Sequence, residues 1–213
     1  MTRGLAPVTL FPMGRDLRIT VPGSVYHLTS HGNNNETIFI ARRDYQKFLS
    51  KLKEYKKELD FKFYVYCLMK NHFHLLVEEG RKTNISRLMQ KLNTAYSMYF
   101  NKKYARRGHL FENRFFSSQV DRDEYLLEVS RYIHLNPVRA ELLGKPEEYS
   151  WSSCWAYLNL EEDELIDKEE VLGLFGGTPE RQVKNYKDFL YGQLEAEKRA
   201  EELAVLKLVP DLD

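Results

Sequence analysis

Two cysteines, Cys67 and Cys154, are all that the 213 residues contain. They are too few for a disulfide framework or a zinc set, and a reduced, cytoplasmic setting is expected. No run of about 18 apolar residues occurs, so no membrane-spanning helix is expected. The first 18 residues lack a basic segment followed by a long apolar stretch, so a secretory signal is not expected either. There is no internal repeat. A surplus of one charge is also missing, since 32 Lys and Arg face 31 Asp and Glu.

That balance hides a division. Residues 1–158 carry 25 basic and 16 acidic side chains, a net +9, whereas residues 159–213 carry 7 and 15, a net −8. A basic body implies a polyanionic partner, although ordinary solvated surfaces also account for the split. Apolar residues make up 43% of the chain, enough for a core. The length fits one domain, or one domain with a small appendage. The boundary is expected at residue 158, with an acidic helical extension over 159–213.

Hydrophobic periodicity orders the elements. Residues 22–30 read as a strand closed by the turn-like Gly32-Asn33-Asn34-Asn35. Residues 41–59 read as an amphipathic helix, with Tyr45, Phe48, Leu49, Leu52 and Tyr55 at helical spacing. Two β-prone runs, 61–69 and 72–78, flank Lys70-Asn71. Thr83 or Asn84 can cap a helix reaching about residue 104. Residues 115–120 read as a short strand. Asp121 or Asp123 then caps a helix expected to stop near Leu135, because Pro137 disfavours helical geometry in the residue before it. A separate helical turn is expected over 137–143, and two further helices over 168–175 and 180–203. The order β-α-β-β-α-β-α predicts an α+β fold: a ferredoxin-like antiparallel sheet with helices on one face.

Two segments carry candidate chemistry. In a strand, residues i and i+2 share a face, so His72 and His74 converge while Phe73 points away. Two neutral imidazoles suit a divalent cation and leave positions open for phosphate oxygens. Simple packing on a sheet also explains such a pair. Tyr125, Val129, Tyr132 and Asn136 share one helical face, with Tyr132 and Asn136 one turn apart. Free tyrosine titrates near pH 10, so it needs a nearby cation or base to act as a nucleophile. Asn136 offers a carbonyl oxygen as a third metal ligand. A packed tyrosine and a capping asparagine are the plainer readings of the same two residues. Lys102, Lys103, Arg106, Arg107, His109 and Arg114 crowd a loop interleaved with Tyr104, Phe111 and Phe115. Such a loop can hold phosphates and stack on unpaired bases, with its apolar residues anchored in the core. Arg42, Arg43 and Arg139 are weaker candidates.

Five stretches, PGSVYHLTSHGNN, YCLMKNHFHLLVE, RRGHLFENRFFSSQV, DEYLLEVSRYIHLNPVRAELL and YSWSS, span roughly residues 18–157. In their order and content the chain resembles the single-tyrosine HUH transposases, which include insertion-sequence and REP-associated tyrosine transposases. The resemblance implies that His72 and His74 hold Mg²⁺ or Mn²⁺ with Asn136 as the nearby polar ligand. It implies that Tyr132 attacks single-stranded DNA next to a hairpin, forming a 5′-phosphotyrosine and releasing a 3′-hydroxyl for rejoining. Asn136 is closer to the REP-associated branch. Relatives commonly carry arginine where Asn35 stands, and Gln-Gly-Arg where Glu112-Asn113-Arg114 stands. The lost positive charge is expected to weaken DNA contact or shift its specificity. A homodimer with the tyrosine supplied across subunits and a self-sufficient monomer both occur among such proteins.

Two other classes compete. The aromatic run Phe61, Phe63, Tyr64, Tyr66 on a ferredoxin-like sheet would also suit a non-catalytic nucleic-acid-binding module, RNA-binding or domesticated. A hydrolase using water would need more carboxylate ligands than this neighbourhood supplies.

Overall fold

The computed structural model describes residues 20–120, 124–159 and 162–206. Four strands form one antiparallel sheet: β1 (Val25–His31), β2 (Lys62–Leu68), β3 (His72–Glu78) and β4 (Phe116–Val120). Their order is β2-β3-β1-β4, the ferredoxin-like arrangement that the element order predicts. The helices are α1 (Arg42–Leu59), α2 (Ile85–Lys103), α3 (Glu124–Arg139), α4 (Cys154–Leu158), α5 (Glu169–Gly173) and α6 (Pro179–Leu206). Among the described residues, no helix is long and apolar enough to cross a membrane.

Strand alternation gives the sheet two unlike faces. Leu28, Phe73, Leu75 and Val77 lie on the face covered by α1 and α2, where Phe48 of α1 meets Phe73 at 4.7 Å between ring centroids. Tyr96 of α2 meets Phe48 edge-on at 5.1 Å. The other face carries His27, Thr29 and His31 from β1 opposite Leu76, His74 and His72 from β3. The third helix, α3, crosses this second face, packing most on β2, while β4 stays exposed or half-buried up to Val120. Beyond residue 158 the chain packs into the same core through Tyr186, Leu190 and Leu194 of α6.

Helix ends follow local chemistry. Asn84 caps α2, its side chain accepting the Arg87 N–H at 3.0 Å. Buried Glu79 accepts the Ile85 N–H at 2.8 Å, adding a negative charge at the same helix start. The expected caps Asp121 and Asp123 lie outside the described residues. Pro137 does not end α3, contrary to the sequence expectation; the helix runs on to Arg139. The Asn136 and Pro137 carbonyls still accept the N–H groups of Ala140 and Leu142. Proline brings no N–H and crowds the carbonyl four residues back, a cost that continued packing of the last turn offsets.

Asp44, fully buried at the start of α1, ties the two covering helices together. It accepts hydrogen bonds from the Ile40 and Ala41 N–H groups, the Tyr99 and Tyr104 hydroxyls and Lys103 Nζ at 2.6 Å. Burial pushes this carboxyl up, but Lys103, the Ala41 N–H and the two hydroxyls outweigh burial and hold it at about 2, below its ordinary 3.8. The folded state therefore binds this proton more weakly than the unfolded chain does. We expect stability from Asp44 to be complete above pH 4 and to decline as pH falls toward 2. Asp44→Ala should cost about 3 kcal/mol in urea melts at neutral pH and flatten the acid limb between pH 4 and 2.

Candidate active site

The register of β1 on β3 puts four imidazoles on one face of the sheet. His31 stacks on His72 with ring centroids 4.8 Å apart, and His27 stacks on His74 at 5.1 Å. His72 and His74 stand edge to face at 4.9 Å. The expected convergence of the last two is thus present, and β1 adds two histidines that local reading passed over. His27 and His31 stand four residues apart in one strand, a spacing that marks a shared face.

Each of the pair is oriented through its Nδ1. Asn71 donates its amide N–H to Asn35 Oδ1, which leaves Asn71 Oδ1 facing His72 Nδ1 at 2.8 Å. A carbonyl oxygen only accepts, so His72 Nδ1 carries the proton and Nε2 keeps its lone pair. Asn35 reaches Asn71 from a tight left-handed turn in which Asn34 and Asn35 have φ of 50° and 61°. Gly32 allows that turn, since a Cβ there would sit 2.1 Å from the Glu36 carbonyl oxygen. Asn35 therefore has a local task here. His74 Nδ1 lies 2.9 Å from His27 Nε2 and 3.2 Å from Thr29 Oγ1. Its Nε2 is buried and has no hydrogen-bond partner among the described residues. Leaving such an atom unpaired costs about 1–3 kcal/mol.

Burial holds His27 and His72 at about 4, with the charge of His31 adding to the effect on His72. Burial, followed by the charges of His27, His72 and His31, holds His74 at about 2. These three rings are neutral at pH 7, the state in which imidazole nitrogen can bind a cation.

Tyr132 comes from α3 on the same face. Its ring meets His74 edge-on at 5.8 Å and His27 at 6.1 Å, and it is 45% exposed. Tyr132 is therefore not a core tyrosine. Arg139, two turns on, places its guanidinium 5.5 Å from the Tyr132 ring centroid and pairs with Glu197 of α6 at 2.6 Å. Asn136 donates its amide to the Tyr132 carbonyl at 2.8 Å, so its Oδ1 is left uncommitted, and it makes no hydrogen bond to either histidine. Among the described residues, no three His, Cys, Asp or Glu side chains are grouped to hold a metal ion. The two free imidazole nitrogens fit a divalent cation as an open, incomplete set, with the orphaned His74 Nε2 as the observation that favours one.

The basic loop docks beside this face. The Glu112 N–H donates to the His31 carbonyl at 3.0 Å, and the Asn33 N–H to the Leu110 carbonyl at 2.9 Å. Its cations are unequal. Lys103 is bound to Asp44, and Arg106 to Glu36 at 2.7 Å and to the His109 carbonyl at 2.9 Å. Lys102, Arg107, His109 and Arg114 are exposed and pair with no described residue. Leu110, Phe111 and Phe115 are buried as anchors.

Residues 20–136 match the family model described as transposase, IS200-like. The chain belongs to that family. In this IS200-like transposase the sequence match covers the whole sheet and α3 as far as Asn136. A solved REP-associated tyrosine transposase, bound in that structure to a REP hairpin, is 15% identical, covers 72% of this chain and 90% of its own, and superposes with a TM-score of 0.58. That likeness shows the shared fold. A putative transposase from Deinococcus radiodurans R1 (13% identical, 62% of this chain and 92% of its own, TM-score 0.39) is a more distant structural match. The same holds for the tRNA(His) guanylyltransferase of Saccharomyces cerevisiae (7% identical, 79% of this chain and 78% of its own, TM-score 0.44). No curated protein matches.

The Asn71 relay makes a direct prediction. Long-range ¹H–¹⁵N NMR should find His72 as the Nδ1–H tautomer, and Asn71→Ala should shift it toward a tautomer mixture while leaving the His74 resonances in place. An unchanged His72 pattern in that variant would remove the relay.

Proposed function

We propose that this transposase cuts and rejoins single-stranded DNA beside a hairpin, with Tyr132 as nucleophile. The observation that carries the reading is the half-exposed Tyr132 ring in edge contact with His74, whose Nε2 is buried without a partner. The hairpin enters from the REP-associated relative, whose structure contains one.

In the proposed step the phenol gives up its proton, and its oxygen forms a bond to phosphorus. The 3′ oxygen leaves and takes up a proton, so a 5′-phosphotyrosine and a 3′-hydroxyl result. The phosphodiester energy is kept in the new ester, and the reverse attack rejoins strands without an added energy source. His72 Nε2 and His74 Nε2, with Asn136 Oδ1 as a further donor, would hold Mg²⁺ or Mn²⁺. Such a cation would polarise the phosphate and stabilise charge on its oxygens. Asn35 and Asn71 hold His72 in the tautomer that exposes Nε2, and His27 with Thr29 orients His74. Lys102, Arg107, His109 and Arg114 hold the DNA backbone beside the His31 end of the sheet, and such contacts position DNA without reading it. Lys103 and Arg106 serve the loop itself.

One copy suffices in this reading, because Tyr132 and His74 of the same chain touch. With Mn²⁺ and labelled hairpin DNA, we expect an adduct that survives a denaturing gel. Tyr132→Phe should abolish it, and His72→Ala should reduce it at least 100-fold while hairpin affinity stays within a few-fold. A mixture of the two variants should stay inactive; restored adduct would instead place the tyrosine across a dimer. Cleaved ends free of protein would point to water as the nucleophile and end the proposal.

A further inference from the structure

The uncovered part of the histidine face holds a residue that the reaction above does not use. Strand alternation turns Phe115 into the core, where it is buried, and Phe116 outward, where it is 63% exposed. Phe116 pairs across the sheet with Thr29, and Ser118 pairs with His27. Both therefore share the face of His74 and Tyr132. Among the described residues the Phe116 ring stays largely uncovered and meets no other aromatic ring.

An exposed phenylalanine on an edge strand is a liability that surfaces usually avoid, and its neighbours Ser117, Ser118 and Gln119 follow the usual polar pattern. Phe116 departs from that pattern at the mouth of a cleft of about 500 Å³ between β4, α3 and α6. Tyr132 lines the cleft together with Phe116, Tyr125, His27, Ser118 and Arg139. One wall of the cleft is thus the proposed nucleophile itself. Neighbouring strands stand about 4.8 Å apart, so Phe116, on the second strand from His74, lies about 10 Å from it along the sheet.

We propose that this cleft is a nucleobase subsite, in which Phe116 stacks on the unpaired base adjoining the phosphate that Tyr132 attacks. The inference rests on the function proposed above, which sets a phosphate between Tyr132 and the histidine pair. A strand threaded there must place a flanking base within the cleft. Phe116 offers it a flat apolar ring, and His27 and Ser118 offer polar atoms to its edge. An aromatic ring on an open sheet face is sequence-tolerant by itself, so selectivity falls to His27 and Ser118.

The test uses the full chain carrying Tyr132→Phe, so that binding is read without covalent capture. Two probes of equal backbone charge are titrated by fluorescence anisotropy: labelled dT5 and the same pentamer made entirely of abasic units. The parent should bind dT5 more tightly than the abasic chain. Phe116→Ala should weaken dT5 about tenfold and leave the abasic chain unchanged, whereas Phe116→Trp should keep dT5 binding. Arg107→Ala, by contrast, should weaken both probes alike. The subsite is overturned if Phe116→Ala binds dT5 as the parent does, if it weakens both probes equally, or if Phe116→Trp fails as badly as alanine. Adduct formation by the Tyr132 protein is measured separately. An intact adduct with no stacking effect removes only the subsite, and intact stacking with no adduct removes only the reaction.

Discussion

Antiparallel pairing of β1 with β3 sets Thr29 opposite His74 and His31 opposite His72, and the site exists only in that register. Side chains alternate with a period of two, so a slip by one residue would send the histidines toward α1 and α2. They would then replace Leu28, Phe73 and Leu75 in an apolar layer with no partners for their nitrogens. The apolar demand of one face therefore defends the polar arrangement of the other. The same burial that holds these rings neutral keeps their lone pairs available at physiological pH, so packing and site chemistry act in the same direction.

A second constraint is the position of α3. The nucleophile candidate faces the histidines only if this helix keeps its rotation and tilt. Four contacts with other parts of the chain limit both. His134, fully buried, lies 2.7 Å from the Tyr186 hydroxyl of α6 and 2.8 Å from the Ser153 hydroxyl, which in turn bonds to the backbone of β2 at Tyr66. The Arg131 guanidinium sits 4.0 Å from the centroid of the Phe189 ring, and Arg139 pairs with Glu197. Glu197 of the acidic C-terminal part thus pairs with Arg139 of α3, and Asp167 with Lys56 of α1, which relates the opposite signs of the two parts of the chain to packing within the molecule.

What could be read in advance was what depends on neighbours in sequence. The 3.6-residue period located α1 and α2, Asn84 capped where such a residue should, and alternation put His72 and His74 on one face. Phe115 was legible as an anchor. What escaped depends on distant partners. Lys103 looked like a DNA-facing cation because Asp44, 59 residues earlier, carries no local mark as its partner. His27 and His31 gained meaning only through the strand register, and Phe116 only through its exposed place in the cleft between β4, α3 and α6. Pro137 misled for the opposite reason: a local rule about the residue before proline was overridden by the packing of the helix it interrupts.

The unequal fates of the loop cations change how the +9 of the body should be understood. Counter-ion release on binding a nucleic acid counts cations that meet phosphates, not cations that a sequence contains. Lys103 and Arg106 already neutralise Asp44 and Glu36. Separating Lys103 from its buried carboxylate would expose an uncompensated charge, at a cost larger than one phosphate contact returns. Lys102, Arg107 and Arg114 pair with no described residue. In the proposed reaction, the cations beside His31 that pair with no described residue, rather than the net charge of the body, would govern how strongly and in what orientation a DNA strand reaches the histidine face. Such a small set would suit the proposed reaction, in which tight backbone binding would hold the leaving 3′ end in place.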